Sequence, residues 1–277
     1  MCLILFAWKK HAKYSLVVAA NRDEFYSRPT QQINWWSEAP YVLAGKDYSE
    51  VLGMPGTWMG LSRHGKFAAL TNVREHSTKN TMLRTRGEIV SKYLTSDVSP
   101  IDFFEKNKFN FTNYNGFNLL FGELSDPDNQ NLFWISNRLL TDDGLIAPNE
   151  NIKLINISSG IYGLSNAMLN TEWPKVKNMR TEFSIILNQD TGEFNNSDSY
   201  FRILGNTVIA NDASLPYTGV SVEWERLLSS AFIQTQDYGT RSSTLLRISN
   251  NGKFEAIEKS FNQNGEFSSR KFISELI

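Results

Sequence analysis

Alternating apolar runs and polar turns predict two β-hairpins near the start of the chain. The first hairpin pairs the apolar runs Cys2 to Trp8 and Tyr14 to Ala20 across a short lysine-rich turn. The second joins Gly56 to Ser62 with Lys66 to Asn72, and Gly65 in its turn readily adopts the positive φ that a tight turn needs. Because hairpins build antiparallel sheets, this opening argues against a doubly wound nucleotide-binding fold.

The same reasoning predicts further strands and four helices. The strands end at clusters of Asn, Asp, Gly or Pro and cover Gly116 to Leu124, Asn131 to Asn137, Ile152 to Ile157, Ile161 to Ser165, Thr240 to Ser249 and Lys253 to Phe261. The helices cover Leu83 to Leu94, Pro100 to Lys108, Thr171 to Leu187 and Ser221 to Ile233. Thr171 is the predicted cap of the third helix, with Pro174 in its first turn, and residues 188–199 are expected to form a loop.

The chain shows no repeat, tether or shift of composition that would divide it. We therefore expect a single α+β domain over residues 1–277, with antiparallel sheet and helices on its outer faces.

Composition narrows the function classes. The 28 Lys and Arg residues nearly balance the 29 Asp and Glu residues, so the chain has no general electrostatic attraction to nucleic acid or anionic lipid. Its apolar runs are shorter than the roughly 18 residues that span a bilayer, so we expect no transmembrane segment. The apolar start also lacks the basic stretch of a signal peptide, and one unpaired cysteine fits a reducing compartment. A cytoplasmic location is the expectation.

The single cysteine, Cys2, directly follows the initiator methionine. Methionine aminopeptidase normally removes Met1 before a residue as small as cysteine, which leaves Cys2 with a free α-amine. An α-amine has an ordinary pKa of about 7.7 to 8, so part of it is unprotonated at neutral pH and can act as a base for the thiol. Cys2 is thus either a small packing residue of a buried strand or a nucleophile that carries its own base.

Four polar residues, Asn21-Arg22-Asp23-Glu24, follow the second apolar run. If the first two strands pair as a hairpin, this cluster returns beside the start of the chain and Cys2. Arg22 would then lower the pKa of the thiol, and Asp23 would hold the α-amine. The alternative is a solvated turn with local Asn and Asp hydrogen bonds.

Four motifs, in this order, resemble the NRDE family, also called the transport and Golgi organisation protein 2 family. They are the Met1-Cys2 start with Asn21-Arg22-Asp23-Glu24, then Gly56-Thr57-Trp58-Met59-Gly60, Thr71-Asn72-Val73-Arg74 and Tyr238-Gly239-Thr240-Arg241. The resemblance implies the N-terminal nucleophile hydrolase fold, a four-layer αββα sandwich of two packed, mostly antiparallel sheets. More distantly, the pattern is similar to cysteine-nucleophile amidases that cleave bile salts, penicillin V and acyl-amides.

That distant resemblance implies a role for each matched residue. Cys2 would be the nucleophile and Arg22 its electrostatic partner, while Asn166 in Gly163-Leu164-Ser165-Asn166 would match the oxyanion-hole asparagine. Asn72 would match a second asparagine near the amine, and Arg241 a distal arginine. One difference is visible: those amidases usually place the aspartate three residues after the arginine, whereas here Asp23 is adjacent to Arg22.

Two function classes therefore remain open, together with a third possibility. The first is a cysteine amidohydrolase of non-peptide C–N bonds, acting on a linear amide or acyl compound without a cofactor. The second is a non-catalytic carrier of haem, acyl-CoA or lipid in the same cleft; family members are associated with such roles, although the chain lacks CxxCH and offers as axial ligands only Cys2, His11, His64 and His76. The third is an interaction scaffold on an inherited hydrolase fold. The histidines lack metal-ligand spacing, so no structural metal is expected.

Overall fold

The computed structural model describes residues 2–48, 55–75, 80, 82–142 and 145–277, so His76 lies outside the described residues. Its strands are β1 (Cys2–Trp8), β2 (Tyr14–Phe25), β3 (Thr30–Trp35), β4 (Val42–Asp47), β5 (Met59–Ser62), β6 (Lys66–Asn72), β7 (Phe117–Glu123), β8 (Asn131–Ser136), β9 (Arg138–Leu140), β10 (Ile146–Pro148), β11 (Ile155–Asn156), β12 (Gly160–Leu164), β13 (Tyr238–Ser249), β14 (Lys253–Phe261) and β15 (Phe267–Glu275). Its helices are α1 (Gly87–Thr95), α2 (Pro100–Asn107), α3 (Pro174–Gln189), α4 (Ser197–Leu204) and α5 (Val222–Leu228).

The described chain groups into two compact units, and the first combines the residues up to Ser27 with Ser158–Ser274. It contains a six-stranded sheet in the order β12-β1-β2-β13-β14-β15. The chain start lies inside this sheet and not at its edge, because β1 pairs antiparallel with β2 on one side and with β12 on the other.

Side chains along β1 and β2 point alternately to the two faces of the sheet, and one of these faces packs against helices. Leu3, Leu5 and Ala7 of β1 join Val17 and Ala19 of β2 in a buried core. Helices α3 and α4 supply the other half of that core and pack on this face through their own apolar stripes.

The second unit comprises Arg28–Ile157 and the last three residues. It contains a seven-stranded sheet in the order β11-β8-β7-β6-β5-β4-β3, with a separate β9-β10 hairpin. Helices α1 and α2 pack on one face of this sheet, where Ala68 and Leu70 of β6 lie in the core with Tyr93 of α1.

These features confirm the predicted α+β fold with two large antiparallel sheets. Both opening hairpins are present, as β1-β2 and β5-β6, and each sheet carries helices on one face. The extent of a single domain over 1–277 stays a prediction. No helix among the described residues is long and apolar enough to cross a membrane.

The predicted loop at residues 188–199 is wrong. Helix α3 continues to Gln189, and α4 begins at Ser197. Helix α4 forms because Tyr200, Phe201 and Leu204 lie on one face of it and are buried in the core of the first unit.

The predicted cap of α3 is also wrong. Trp173 occupies the N-cap position, directly before Pro174, while the Thr171 hydroxyl donates to the Met168 carbonyl at 2.9 Å. Thr171 therefore stabilises the turn before the helix rather than the helix itself.

Other boundaries are shorter than predicted, and some elements were not predicted. The helix predicted to end at Ile233 ends at Leu228, and that predicted to start at Leu83 begins at Gly87. The strand predicted from Gly56 to Ser62 covers only Met59–Ser62, and the strand predicted from Ile152 to Ile157 covers only Ile155–Asn156. Strands β3, β4, β9, β10 and β15 were missed; β15 buries little apolar surface, so its hydrophobic pattern is weak.

A fully buried arginine on β13, Arg247, forms an ion-pair cluster in the first unit. The Arg247 guanidinium pairs with Asp190 at 2.9 Å and with Glu255. It also donates to the Asn195 carbonyl at 2.5 Å, and the Tyr200 hydroxyl donates to Asp190 at 3.0 Å. This cluster joins strands β13 and β14 to the segment between α3 and α4 through charge-assisted hydrogen bonds.

We predict that Arg247→Met lowers the free energy of unfolding by about 3–5 kcal/mol, because two carboxylates lose a buried countercharge. Urea denaturation measures the change. The matched control is Arg202→Met on α4, whose ion pair with Glu182 spans 3.7 Å at the surface and should contribute less than about 1 kcal/mol. Equal losses in the two variants would contradict the prediction.

Candidate functional site

The register of β1 determines the neighbours of Cys2. Cys2 lies directly opposite Arg22 in the β1-β2 pair, and the pairing continues without interruption to Trp8 and Leu16. Both faces of β1 are buried, and the face that carries Phe6 and Trp8 holds larger side chains than the face that carries Leu3, Leu5 and Ala7. A slip of one residue would exchange the two sets, so packing fixes this register.

Asn166 follows the strand on the other side of β1. Ile4 of β1 pairs with Leu164, the last residue of β12, and the chain bends away from the strand from Ser165 onward. Asn166 is the second residue after β12, on the side of the sheet where β1 begins. Asn166 is fully buried, and its Oδ1 accepts a hydrogen bond of 3.2 Å from the Ser165 hydroxyl.

Arg22 and Asp23 are both buried and point to opposite faces of the sheet. Residues of β2 alternate, and Ala19 lies on the helix-packed face. Asn21 and Asp23 share that face, whereas Arg22 points to the other one. The two adjacent charges of the motif therefore meet different surroundings.

Asn21 anchors the end of β2 on the helix-packed face. Its Nδ2 donates to the carbonyls of Leu204 and Ala231, both at 2.8 Å. Its Oδ1 accepts from the Ser243 hydroxyl at 2.6 Å. One buried amide thus connects β2 to the end of α4, to the segment after α5 and to β13.

Asp23 makes a comparable connection. Its Oδ1 accepts from the Thr240 hydroxyl at 2.7 Å, and the same hydroxyl oxygen accepts from the Ile233 backbone N–H at 2.9 Å. Burial raises the pKa of the Asp23 carboxyl, and among the described side chains Lys175 opposes that rise most strongly, followed by Thr240 and Arg22.

Lys175 is a site residue that sequence reasoning missed. It lies in the first turn of α3, directly after Pro174, and only about 5% of it is exposed. Its Nζ donates to the Leu228 carbonyl at 2.8 Å. A lysine is rarely buried unless its charge is paired, but nothing in the sequence around Lys175 distinguishes it from the exposed Lys177.

Arg241 lies at an irregularity in β13. The register with β2 shifts between Thr240 and Ser242, which leaves Arg241 between two paired residues. Its guanidinium donates to the Phe25 carbonyl at 2.8 Å and the Tyr26 carbonyl at 3.2 Å. Arg241 thereby positions the chain that leaves β2.

Gly239 explains the glycine of the Tyr238-Gly239-Thr240-Arg241 motif. A Cβ at this position would lie 2.3 Å from the Tyr26 hydroxyl oxygen and 2.6 Å from the Ile233 carbonyl oxygen. Only glycine permits this approach of the strand to the segment after α5.

Asn72 ends β6 in the second unit, opposite Phe117. Alternation places it on the face that carries Ala68 and Leu70, which packs with α1. Thr71 points to the opposite face and accepts a hydrogen bond of 3.0 Å from Asn118. The first unit thus contains Cys2, Arg22, Asp23, Asn166 and Arg241, whereas the role of Asn72 stays a prediction.

The described histidines already have partners. His11 Nδ1 accepts from the Lys13 backbone N–H at 3.1 Å, and His11 Nε2 lies 3.0 Å from the Asp190 carbonyl oxygen. The His64 ring contacts Tyr41, with 5.0 Å between the ring centroids. In the described part of the chain, no group of three or more His, Cys, Asp or Glu side chains is arranged to hold a metal ion.

Comparison with known sequences extends the likeness from motifs to the whole chain. The family model described as Transport and Golgi organisation 2 matches residues 1–263. The chain belongs to this family. A Transport and Golgi organization protein 2 homolog from Bos taurus is 34% identical over 274 residues, covering 94% of this chain and 93% of the relative. The homolog from Homo sapiens is 32% identical over 273 residues with the same coverage.

The solved structures that align with this chain have a much lower sequence identity to it than these relatives have. A mutant conjugated bile acid hydrolase from Clostridium perfringens aligns with 98% of this chain and 97% of its own, at a TM-score of 0.46 and 9% identity. An N-acylethanolamine-hydrolyzing acid amidase ortholog from Caenorhabditis elegans covers 88% of this chain and 92% of its own, at a TM-score of 0.38 and 11% identity.

We predict that Asn21→Ala lowers the free energy of unfolding by about 3 kcal/mol or more, because two buried carbonyls and one hydroxyl lose their partner. Thermal and urea denaturation measure the loss. Asn250→Ala is the control, since Nδ2 of the exposed Asn250 also donates to one backbone carbonyl, that of Ala12 at 2.8 Å. A loss as small as that of the control would contradict an anchoring role for Asn21.

Proposed function

We propose that this protein is an amidohydrolase that cleaves a non-peptide C–N bond of a linear amide or acyl compound, with Cys2 as its N-terminal nucleophile. The observation that supports the proposal is the strand register, in which Arg22 of β2 is directly opposite Cys2. Asn166 follows the end of β12, the other neighbour of β1, by two residues. These are the residue types that thiolate attack on an amide requires.

Each proposed step follows from ordinary acid–base chemistry. After removal of Met1, the α-amine of Cys2 accepts the thiol proton, and the thiolate attacks the amide carbonyl carbon. The Asn166 carboxamide donates to the oxyanion that forms. The C–N bond then breaks, the departing nitrogen takes the proton from the α-ammonium, and a thioester remains. Water cleaves the thioester, which releases the acid and restores the thiol.

The buried charges fit this sequence. Arg22 supplies a fixed positive charge, which favours the thiolate over the thiol. The negative charge of an ionised Asp23 would favour the protonated form of the amine, which donates the proton to the leaving group. No metal or organic cofactor takes part in this mechanism.

The first test is the intact mass of protein made without an N-terminal tag, before and after brief alkylation at neutral pH. We expect the loss of Met1 and rapid addition of one label, which can only be on Cys2 because the chain has 1 cysteine. Retained Met1 with an inert thiol would refute the mechanism, because the amine would then be part of a peptide bond.

A second prediction concerns turnover of a panel of acyl-amides. Cys2→Ala is expected to abolish hydrolysis while the melting temperature stays close to that of the parent. Asn166→Ala should reduce kcat by about 10²–10³-fold, the typical effect of removing one oxyanion donor. Hydrolysis that survives Cys2→Ala, or a panel without any Cys2-dependent hydrolysis, would count against the proposal.

Arg22→Met gives a third prediction, which requires no substrate. Loss of the cation should raise the pKa of the Cys2 thiol, so alkylation at pH 7 slows while the limiting rate at high pH is unchanged. The alkylation rate as a function of pH measures this shift. Arg28→Met is the control, because Arg28 is in the second unit and pairs with Asp47 at 2.9 Å. An unchanged profile in Arg22→Met would contradict the electrostatic role.

The carrier hypothesis remains the alternative outcome. A haem titration that produces a Soret shift in the parent, but not in Cys2→Ala or in a His→Ala variant, would support it, as would saturable binding of acyl-CoA without turnover. A flat titration would remove the haem form of that hypothesis.

A further inference from the structure

The helix-packed face of the first sheet carries a charge pair of two buried side chains, Asp23 and Lys175. Asp23 is about 2% exposed and Lys175 about 5% exposed. They come from different elements, since Asp23 is on β2 and Lys175 is in the first turn of α3, which packs on β1 and β12. A buried charge without compensation is strongly unfavourable: burial raises the pKa of the Asp23 carboxyl, and the charge of Lys175 counters that rise.

Both groups also bind the same short segment after α5. Lys175 donates to the Leu228 carbonyl, while Asp23 reaches the Ile233 N–H through the Thr240 hydroxyl. The two ends of residues 228–233 are therefore attached to the two members of the charge pair. If Asp23 or Lys175 changed its ionisation, its contact with residues 228–233 would change, and so would the anchoring of the end of β2 next to Arg22.

The other charged and titratable side chains around Asp23 can be named element by element. Arg22 adjoins it on β2, and Tyr26 follows that strand; the charge of Asp23 is one of the influences that raise the pKa of the Tyr26 phenol, after burial and against Arg241. The neighbouring residue on β13, Thr240, does not titrate. Among these side chains, Lys175 is the cation on the same sheet face as Asp23. In the proposed mechanism the α-amine of Cys2 is a further titratable group beside Asp23, and it is unchanged in the variants of Lys175.

We propose that Lys175 is a positioning residue of this site: its buried ammonium keeps the Asp23 carboxylate ionised at neutral pH and so fixes the end of β2 beside the nucleophile. The inference rests on the proposed function for its catalytic meaning. Its electrostatic part does not, because the ionisation of Asp23 is measurable without any substrate.

The sharpest variant is Lys175→Gln, since a glutamine amide can still donate to the Leu228 carbonyl but carries no charge. Lys175→Arg keeps the charge. Lys177→Gln is the matched control, because Lys177 is two residues along the same helix and exposed. The first readout is the melting temperature of each variant between pH 4.5 and 8.

The direction of the effect follows from linkage. Without the ammonium, the pKa of Asp23 in the folded protein moves further above its unfolded value, so the stability that its protonated form contributes is lost as the pH rises through the folded pKa. We expect the melting temperature of Lys175→Gln to fall as the pH rises. The midpoint of that fall should lie at least one pH unit above the corresponding midpoint of the parent protein. Lys175→Arg and Lys177→Gln should follow the parent. A Lys175→Gln curve that is only displaced by a constant amount would overturn the proposal.

The double variant Lys175→Gln/Asp23→Asn covers the case in which the single variant folds poorly. Removing both charges should raise the melting temperature at pH 7.5 above that of Lys175→Gln alone and abolish the added pH dependence. A double variant no more stable than the single one would overturn the pairing.

The second readout is the pH profile of Cys2 alkylation, which reports on the site itself. Lys175→Gln is expected to shift the midpoint of this profile by at least half a pH unit, whereas Lys177→Gln leaves it unchanged. An unshifted profile, with the parent still hydrolysing amides, would refute the positioning role and leave the proposed function intact. If no amide is hydrolysed but the stability profile shifts as expected, the proposed function fails and the charge pair stands.

Discussion

The antiparallel pairing of β1 between β2 and β12 is the constraint on which the candidate site depends. Backbone hydrogen bonds fix which residues lie level with Cys2, and the alternation of core side chains prevents a slip of register. No long loop has to be ordered for the chain start to meet Arg22. A site built on strands is held more precisely than one built on loops, because the backbone of a strand is already fixed by pairing and packing.

Because side chains alternate along β2, the three residues of the Asn21-Arg22-Asp23 motif have different roles. Asn21 and Asp23 point to the helix-packed face, where they tie the strand to β13 and to the segment after α5. Arg22 alone of the three points to the other face. Three consecutive polar residues thus combine two structural anchors with one charge at the level of Cys2. Burying polar groups is tolerable where they are hydrogen-bonded, as the Asn21 amide and the Lys175 ammonium are.

Hydrophobic pattern predicted much of the first unit. The runs that became β1, β13 and β14 are long, strongly apolar and bounded by turn residues, so they were placed nearly correctly. Strand β2 continues to Phe25, five residues beyond its predicted end at Ala20, so the polar motif lies within the strand. Helix α4 and strand β15 were missed for opposite reasons. The apolar face of α4 is interrupted by polar residues and is clear only once the core is known, whereas β15 is an exposed edge strand with little pattern. The cap of α3 failed because local hydrogen bonding gave Thr171 a different partner.

The sequence by itself determined the two antiparallel hairpins at the chain start, the lone cysteine at position 2 and the family motifs around it, because these depend on local patterns and residue types. The tertiary structure decided the rest. It fixed the register in which Arg22 is opposite Cys2, sent Asp23 to the other face of the sheet and buried Asn166 and Lys175 in the same unit. Asn166 and Lys175 are more than a hundred positions from the chain start, and only packing and register determine which distant polar side chains come together.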